Sequence, residues 1–129
     1  MGSGTGVLAI LAEKRGAETI LAIDIYPWIV ENIRENLKFN NCQKITAKLG
    51  RNVPKKKEFD LILANINRNV LLKQIPDYAK ALALKGNLLL SGFYVEDLEI
   101  IQNACEVEGF RFIRKLDKNN WVAAHFNLS

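Results

Sequence analysis

The sequence predicts an α/β fold whose sheet is mostly parallel and ends in an antiparallel hairpin. Three observations point there. TILAID (19–24), LILANI (61–66) and LLLSG (88–92) are short, nearly unbroken apolar runs, as strands buried on both faces require. Segments with helical apolar spacing separate them, the alternation of a sheet with helices on its faces. The chain closes with FRFIRKL (110–116) and WVAAHFN (121–127) on either side of a polar turn, and a short turn between strands makes an antiparallel pair.

Residues 5–15 carry Val7, Leu8, Ile10 and Leu11 at helical spacing and stop at Gly16. TILAID follows as a strand. Pro27 suits the first turn of a helix, where a missing N–H is no loss. Trp28, Ile29, Ile33 and Leu37 form the apolar stripe of residues 27–39, with Asn40 and Asn41 ending it. KITAKL (44–49) reads as a further strand, and KKKEFD (55–60) leads into LILANI. Residues 68–83 read as a helix interrupted at Pro76, Lys85-Gly86-Asn87 as a turn, and LLLSG as a buried strand. An amphipathic helix over 95–108 closes at Gly109, and Asp117 to Asn120 form the turn of the final hairpin.

Composition sets the limits. The 129 residues fit one domain, with 49% apolar and 25% charged side chains. No apolar run approaches the roughly 18 residues of a membrane helix. The net charge of +4 is compatible with an acidic or nucleic-acid partner and requires neither. Cys42 and Cys105 have no metal or redox spacing, and both read as small, buried or half-buried side chains in helices. The expected location is the cytoplasm.

Gly2-Ser3-Gly4-Thr5-Gly6 immediately precedes the first helical segment. Glycine lets a backbone approach a ligand closely, and a helix N-terminus offers unpaired N–H groups to an anion. The dinucleotide fingerprint G-x-G-x-x-G would place its third glycine at position 7, which is Val7. The spacing here is G-x-G-x-G, which favours S-adenosylmethionine over a nicotinamide dinucleotide. Asp24 ends the next strand, about 20 residues on. Its two carboxylate oxygens suit the two hydroxyls of a ribose, and a solvated strand-end acid is the alternative. Ile25 fits equally an apolar wall against adenine or core packing.

The run from MGSGTG through KFN (1–40), FDLILANINRNVL (59–71) and GNLLLSGF (86–93) resembles the methyltransferases that modify the eleventh protein of the bacterial large ribosomal subunit. LANINRNVL is the most specific part. The resemblance covers nearly the whole chain and implies a Rossmann-like class I methyltransferase sheet, of which the final hairpin is a feature. It implies S-adenosylmethionine as cofactor, held by Gly2, Gly4, Thr5, Gly6, Asp24, Ile25 and Asn65, with no metal. It also implies that Asn65 borders the methyl-transfer site, and that the acceptors are lysine side chains or the α-amine of the ribosomal protein. Asn65 has a physical case of its own, because ligands bind at the carboxyl ends of strands in open α/β sheets and an amide both donates and accepts. Asn67 reads as a helix cap. Enzymes that methylate amino groups of nucleic-acid bases usually have Asn or Asp, then Pro-Pro and an aromatic residue, where this chain has Asn-Ile-Asn-Arg. No direct nucleic-acid or membrane partner is expected.

The family pattern puts a strand ending in an acidic residue before the glycine loop, and a recognition domain before that. With the chain beginning at Met1, both are expected to be absent and turnover by this chain alone to be weak. Readings that share the fold are a methyltransferase acting on RNA or a small molecule and a truncated remnant without catalysis. A nicotinamide-dependent oxidoreductase fits less well, because of the loop spacing and the hairpin. His125 is expected to be structural, Lys55-Lys56-Lys57 a solvated turn, Trp28 and Trp121 to pack on the sheet, and Phe93 and Tyr94 to line the substrate entrance.

Overall fold

The computed structural model describes residues 27–50 and 59–128, and the backbone of 20–24. The helix expected over 5–15 and the Lys55-Lys56-Lys57 turn lie outside these residues. The chain forms two compact units, Met1–Arg51 and Asn52–Ser129.

In the first unit, β1 (Ile20–Asp24) pairs in parallel with β2 (Ile45–Leu49), so that Asp24 lies opposite Leu49 at the carboxyl ends. Helix α1 (Pro27–Phe39) connects them and starts at its proline, as expected. Its inner face is Val30, Ile33 and Leu37, packed against Ile45 and Ala47 with Ile29 and Cys42 at the margin. The face is therefore rotated from the expected stripe, and Trp28 is 68% exposed rather than packed on strands. Its place in the first turn puts it off the 30/33/37 row that faces the strands. Cys42 is half-buried just past the helix, not within it, because Asn41 turns left-handed at φ 54° and ends α1.

The second unit is a four-stranded sheet in the order β3-β4-β6-β5. Strand β3 (Phe59–Asn65) runs parallel to β4 (Leu82–Tyr94), whereas β6 (Trp121–Leu128) is antiparallel to both β4 and β5 (Phe110–Lys118). Helix α2 (Arg68–Ala81) joins β3 to β4 and packs on both; α3 (Leu98–Val107) follows a 3-10 turn, Val95–Asp97, and packs on α2 and β5. Ile62, Ala64, Leu88, Leu90, Val122, Ala124 and Phe126 are buried with Leu71, Ile75, Tyr78 and Ile101 of the helices. Alternate positions face the other way, and Leu61 and Leu89 there are 44% and 38% exposed, so these strands are not buried on both faces within the described unit.

Three boundaries differ from the sequence expectation. Helix α2 continues through Pro76, because Leu71, Ile75 and Tyr78 anchor it on both sides, and it stops at Ala81 where Leu82 takes extended angles (φ −77°, ψ 138°). The expected turn at Lys85-Gly86-Asn87 is a bulge inside β4: the register steps from Phe59↔Leu82 to Leu61↔Asn87, with Lys85 left-handed at φ 66°. Such an insertion absorbs turn residues while pairing resumes on either side. At the hairpin, Asp117 and Lys118 still pair with Val122 and Trp121, leaving a two-residue turn of Asn119 and Asn120 at φ 52° and 71°. Two successive positive φ values define the type I′ turn that matches the twist of its strands.

Candidate functional site

Strands β3 and β4 both run toward the end of the sheet where Asn65 and Ser91 lie side by side. One row of Cα partners crosses all four strands there: Asn65, Ser91, Ala123 and Leu116. Along this row and beyond it opens a cleft of about 830 Å³, lined by Asn65, Asn67, Ser91 and Gly92 on one side and by residues of the hairpin, Leu116 to Lys118 and Trp121 to Ala123, on the other.

Each wall has a local cause. After Asn65 the chain leaves the strand, with the Ile66 amide donating to the Ser91 carbonyl at 3.2 Å. Asn67 then caps α2, its side-chain oxygen accepting from the Val70 amide at 3.1 Å. That is the capping role expected of it. Gly92 turns at φ +92°, and a Cβ there would fall 2.8 Å from Asn65 Oδ1. Only glycine allows that approach. On the opposite wall the Trp121 ring lies against Tyr94, centroids 4.3 Å apart, and stays 49% exposed.

The expected site residues divide accordingly. Asn65 lines the cleft. Asp24 is the last residue of β1; its side chain, together with Gly2, Gly4, Thr5, Gly6 and Ile25, lies outside the described residues. Phe93 does not line the entrance: it is 2% exposed, because residue 93 points to the helix side of β4. Tyr94 touches the cleft only by supporting Trp121. Trp121 is a wall of the cleft rather than a packing residue on the sheet. His125 is structural, its Nε2 2.9 Å from Asn87 Oδ1, which also takes a bond from Asn127. Sequence reasoning missed Gly92, Leu116 and Trp121. The available signals were a glycine directly after a buried strand and a tryptophan opening the last one.

A family model described as "Ribosomal protein L11 methyltransferase (PrmA)" matches residues 1–128. The chain belongs to the ribosomal protein L11 methyltransferase family. It is 44% identical over 128 residues to the ribosomal protein L11 methyltransferase of Phocaeicola vulgatus, covering 98% of this chain and 46% of that one. The counterpart in Porphyromonas gingivalis is 44% identical over 131 residues, 98% of this chain and 44% of that one. The chain thus spans about half the length of these relatives. A solved structure of the ribosomal protein L11 methylase of Lactobacillus delbrueckii subsp. bulgaricus superposes with a TM-score of 0.90 at 32% identity, covering 97% of this chain and 66% of that one. The fold is the Rossmann-like class I methyltransferase fold expected of the family. Among the described residues no helix is long and apolar enough to cross a membrane.

Proposed function

We propose that residues 1–129 form the S-adenosylmethionine-binding catalytic domain of a protein N-methyltransferase acting in the cytoplasm on lysine side chains or the α-amine of ribosomal protein L11, without direct nucleic-acid contact. The observation that carries this reading, beside family membership, is Asn65 at the carboxyl end of β3, lining a cleft whose far wall includes Leu116, Trp121 and Val122 beside Asp117 and Lys118.

The residues present suit such a cofactor. An amide at a strand end offers a donor and an acceptor, and the cleft leaves room beside it that a side chain on Gly92 would reduce. Gly2 is assigned to the floor beneath the cofactor, Thr5 and the loop amides through Gly4 and Gly6 to the methionine end, Asp24 to the ribose hydroxyls, and Ile25 to the adenine. S-adenosylmethionine supplies an electrophilic methyl on its sulfonium, and the protein supplies binding and alignment. Asn65 accepts a hydrogen bond from the incoming neutral amine and so orients its lone pair. Leu116, Trp121 and Val122 exclude water from the amine's approach. Alignment at about 3–3.5 Å accounts for much of the rate in such a transfer, so no strong general base is required of the chain.

The test is the melting temperature of this chain with and without S-adenosylhomocysteine, with Asp24→Ala alongside. Binding to the folded state stabilises it by about 2.7 kcal/mol at a hundredfold excess over the dissociation constant. A shift present in the native sequence and lost in Asp24→Ala is the expected result. A cooperatively folded chain that shows no shift, and gains one with NAD instead, overturns the reading.

A further inference from the structure

The two walls of the cleft are tied together by polar contacts that do not themselves line it. On the strand side, Asn67 lines the cleft, and its neighbour Arg68 donates from Nη1 to Asp97 Oδ1 at 2.9 Å. Asp97 and Glu96 belong to the 3-10 turn Val95–Asp97 that leaves β4. On the hairpin side, Asn120 Nδ2 donates to both carboxylate oxygens of Glu96, at 2.9 and 3.1 Å, and the Asn120 carbonyl accepts from the Val95 amide at 3.0 Å. Trp121 is the next residue, and its ring rests on Tyr94, which immediately precedes that turn. An unbroken path therefore runs Asn67–Arg68–Asp97–Glu96–Asn120–Trp121.

We propose that Arg68, Asp97, Glu96 and Asn120 form a brace that fixes Trp121 relative to Asn65, and so positions the acceptor amine in the cleft. The inference rests on the methyltransferase reading above and deepens it.

The side chains of the hairpin tip have little burial to order them. Among the described residues, β5 is an edge strand paired with β6. Pairing with Tyr94 at the end of β4 sets the Trp121 backbone, but the residues from Arg114 to Trp121 are all exposed, so no buried core orders the Trp121 ring. The turn also asks less than the chain provides. Positive φ at position 120 is met by glycine at least as well as by asparagine, and only the asparagine side chain reaches Glu96. Finally, the contacts are poor stability devices. Ion contacts at the surface contribute little to folding, and both Asn120 and Glu96 are exposed. Asn120's donation nevertheless holds the Glu96 carboxyl below its usual range, as a formed bond to the charged state does. What such contacts can set is geometry, and the nearest geometry to set is that of a half-exposed tryptophan on the cleft wall.

The four residues are positioning residues, since none of them lines the cleft. Their loss affects the acceptor and spares the cofactor, because it falls on the Trp121 wall and leaves Asn65, the one residue assigned to the cofactor that lines the cleft, in place on β3.

The experiment compares Asn120→Gly, Glu96→Ala and Glu96→Gln with the native sequence. Asn120→Gly keeps the turn, so folding is not at issue. The Trp121 indole N–H resonance, assigned through Trp121→Phe, reports ring order by relaxation in this chain. In the enzyme, KM for ribosomal protein L11 is measured beside kcat and the affinity for S-adenosylhomocysteine. Asn120→Gly and Glu96→Ala are expected to lower indole order and raise the acceptor KM by about threefold or more, with cofactor affinity unchanged within about twofold. Glu96→Gln keeps an acceptor oxygen and restores native values. The Asn120→Gly, Glu96→Ala double variant is no worse than Asn120→Gly, because both changes break the same pair of contacts. Unchanged indole order in Asn120→Gly, additive single effects, or a parallel fall in cofactor affinity overturns the brace. A native enzyme that binds no cofactor overturns the methyltransferase reading instead, and indole order still decides the brace.

Discussion

Gly92 lies against Asn65 so closely that a Cβ on it would fall 2.8 Å from the Asn65 side-chain oxygen and 2.9 Å from the Ile66 carbonyl. The backbone of residue 92 is also at φ +92°, where an L side chain is strained. Gly92→Ala therefore has two independent costs. It is expected to destabilise the protein by about 2–3 kcal/mol and to displace the Asn65 amide, weakening S-adenosylhomocysteine binding beyond the loss of folded protein. Denaturant midpoints and binding titrations separate the two effects. A variant of native stability and native affinity would mean that the backbone shifts freely and Asn65 is not held from below.

Asn65 itself is exposed at the end of its strand, so truncating it removes no core. Asn65→Ala is expected to change the unfolding free energy by less than about 0.5 kcal/mol while lowering kcat by roughly 10²-fold, the scale of a misaligned reacting group. Steady-state methylation of ribosomal protein L11 is the measurement, and a kcat near native would remove Asn65 from the site.

Asn67 shows how neighbouring identical residues take different roles. Its side chain accepts from the Val70 amide at 3.1 Å at the start of α2. Asn67→Ala is expected to cost about 1 kcal/mol of stability, with Asn67→Asp or Asn67→Ser recovering most of it. Urea unfolding of the three variants checks this. The kcat per folded molecule should stay native, in contrast to Asn65→Ala.

Much of this was legible in the sequence because it rests on local signals. Pro27 marked the start of α1, the apolar runs marked the strands, and the spacing of Asn65 after LILA put it at a strand end. What was not legible depends on pairing. Leu82 to Gly86 read as helix end and turn, yet the register with β3 draws them into one long strand with a bulge. Trp121 read as a residue packed on the sheet. Its exposure follows from facing Tyr94 at the tip of the hairpin, a relation between residues 27 positions apart. The contact of Gly92 with Asn65 is of the same kind: the glycine was visible, and its reason was not.

Phe126 is fully buried in β6, opposite Leu88, with the Phe112 ring edge-on at 5.5 Å. Phe126→Ala leaves a cavity that the surrounding strands cannot close, and is expected to cost about 3–5 kcal/mol. Guanidinium unfolding followed by circular dichroism measures it. A cost below about 1 kcal/mol would mean that the sheet does not form the core described.

Cys105 is completely buried in α3, and burial, with a smaller contribution from the Glu106 charge, pushes its thiol from 9.0 up to about 12. In the unfolded chain the thiol ionises near the ordinary value. Between pH 9.0 and about 12 the unfolded state has therefore lost a proton that the folded state keeps. Stability falls as pH rises through that window, at up to about 1.4 kcal/mol per pH unit for one proton. Below the window both states are protonated, and this dependence vanishes. Tyr78, raised by burial and by Asp77, adds a slope of the same sign at the upper end. Cys105→Ala is the control: its denaturant midpoint should fall less steeply with alkaline pH, by about one proton's worth, from a starting stability slightly lowered by the lost side chain. A thiol reagent at pH 8 should modify the half-buried Cys42 first and reach Cys105 only as the protein unfolds. Identical alkaline slopes in the native protein and Cys105→Ala would show that the thiol is not protected by folding.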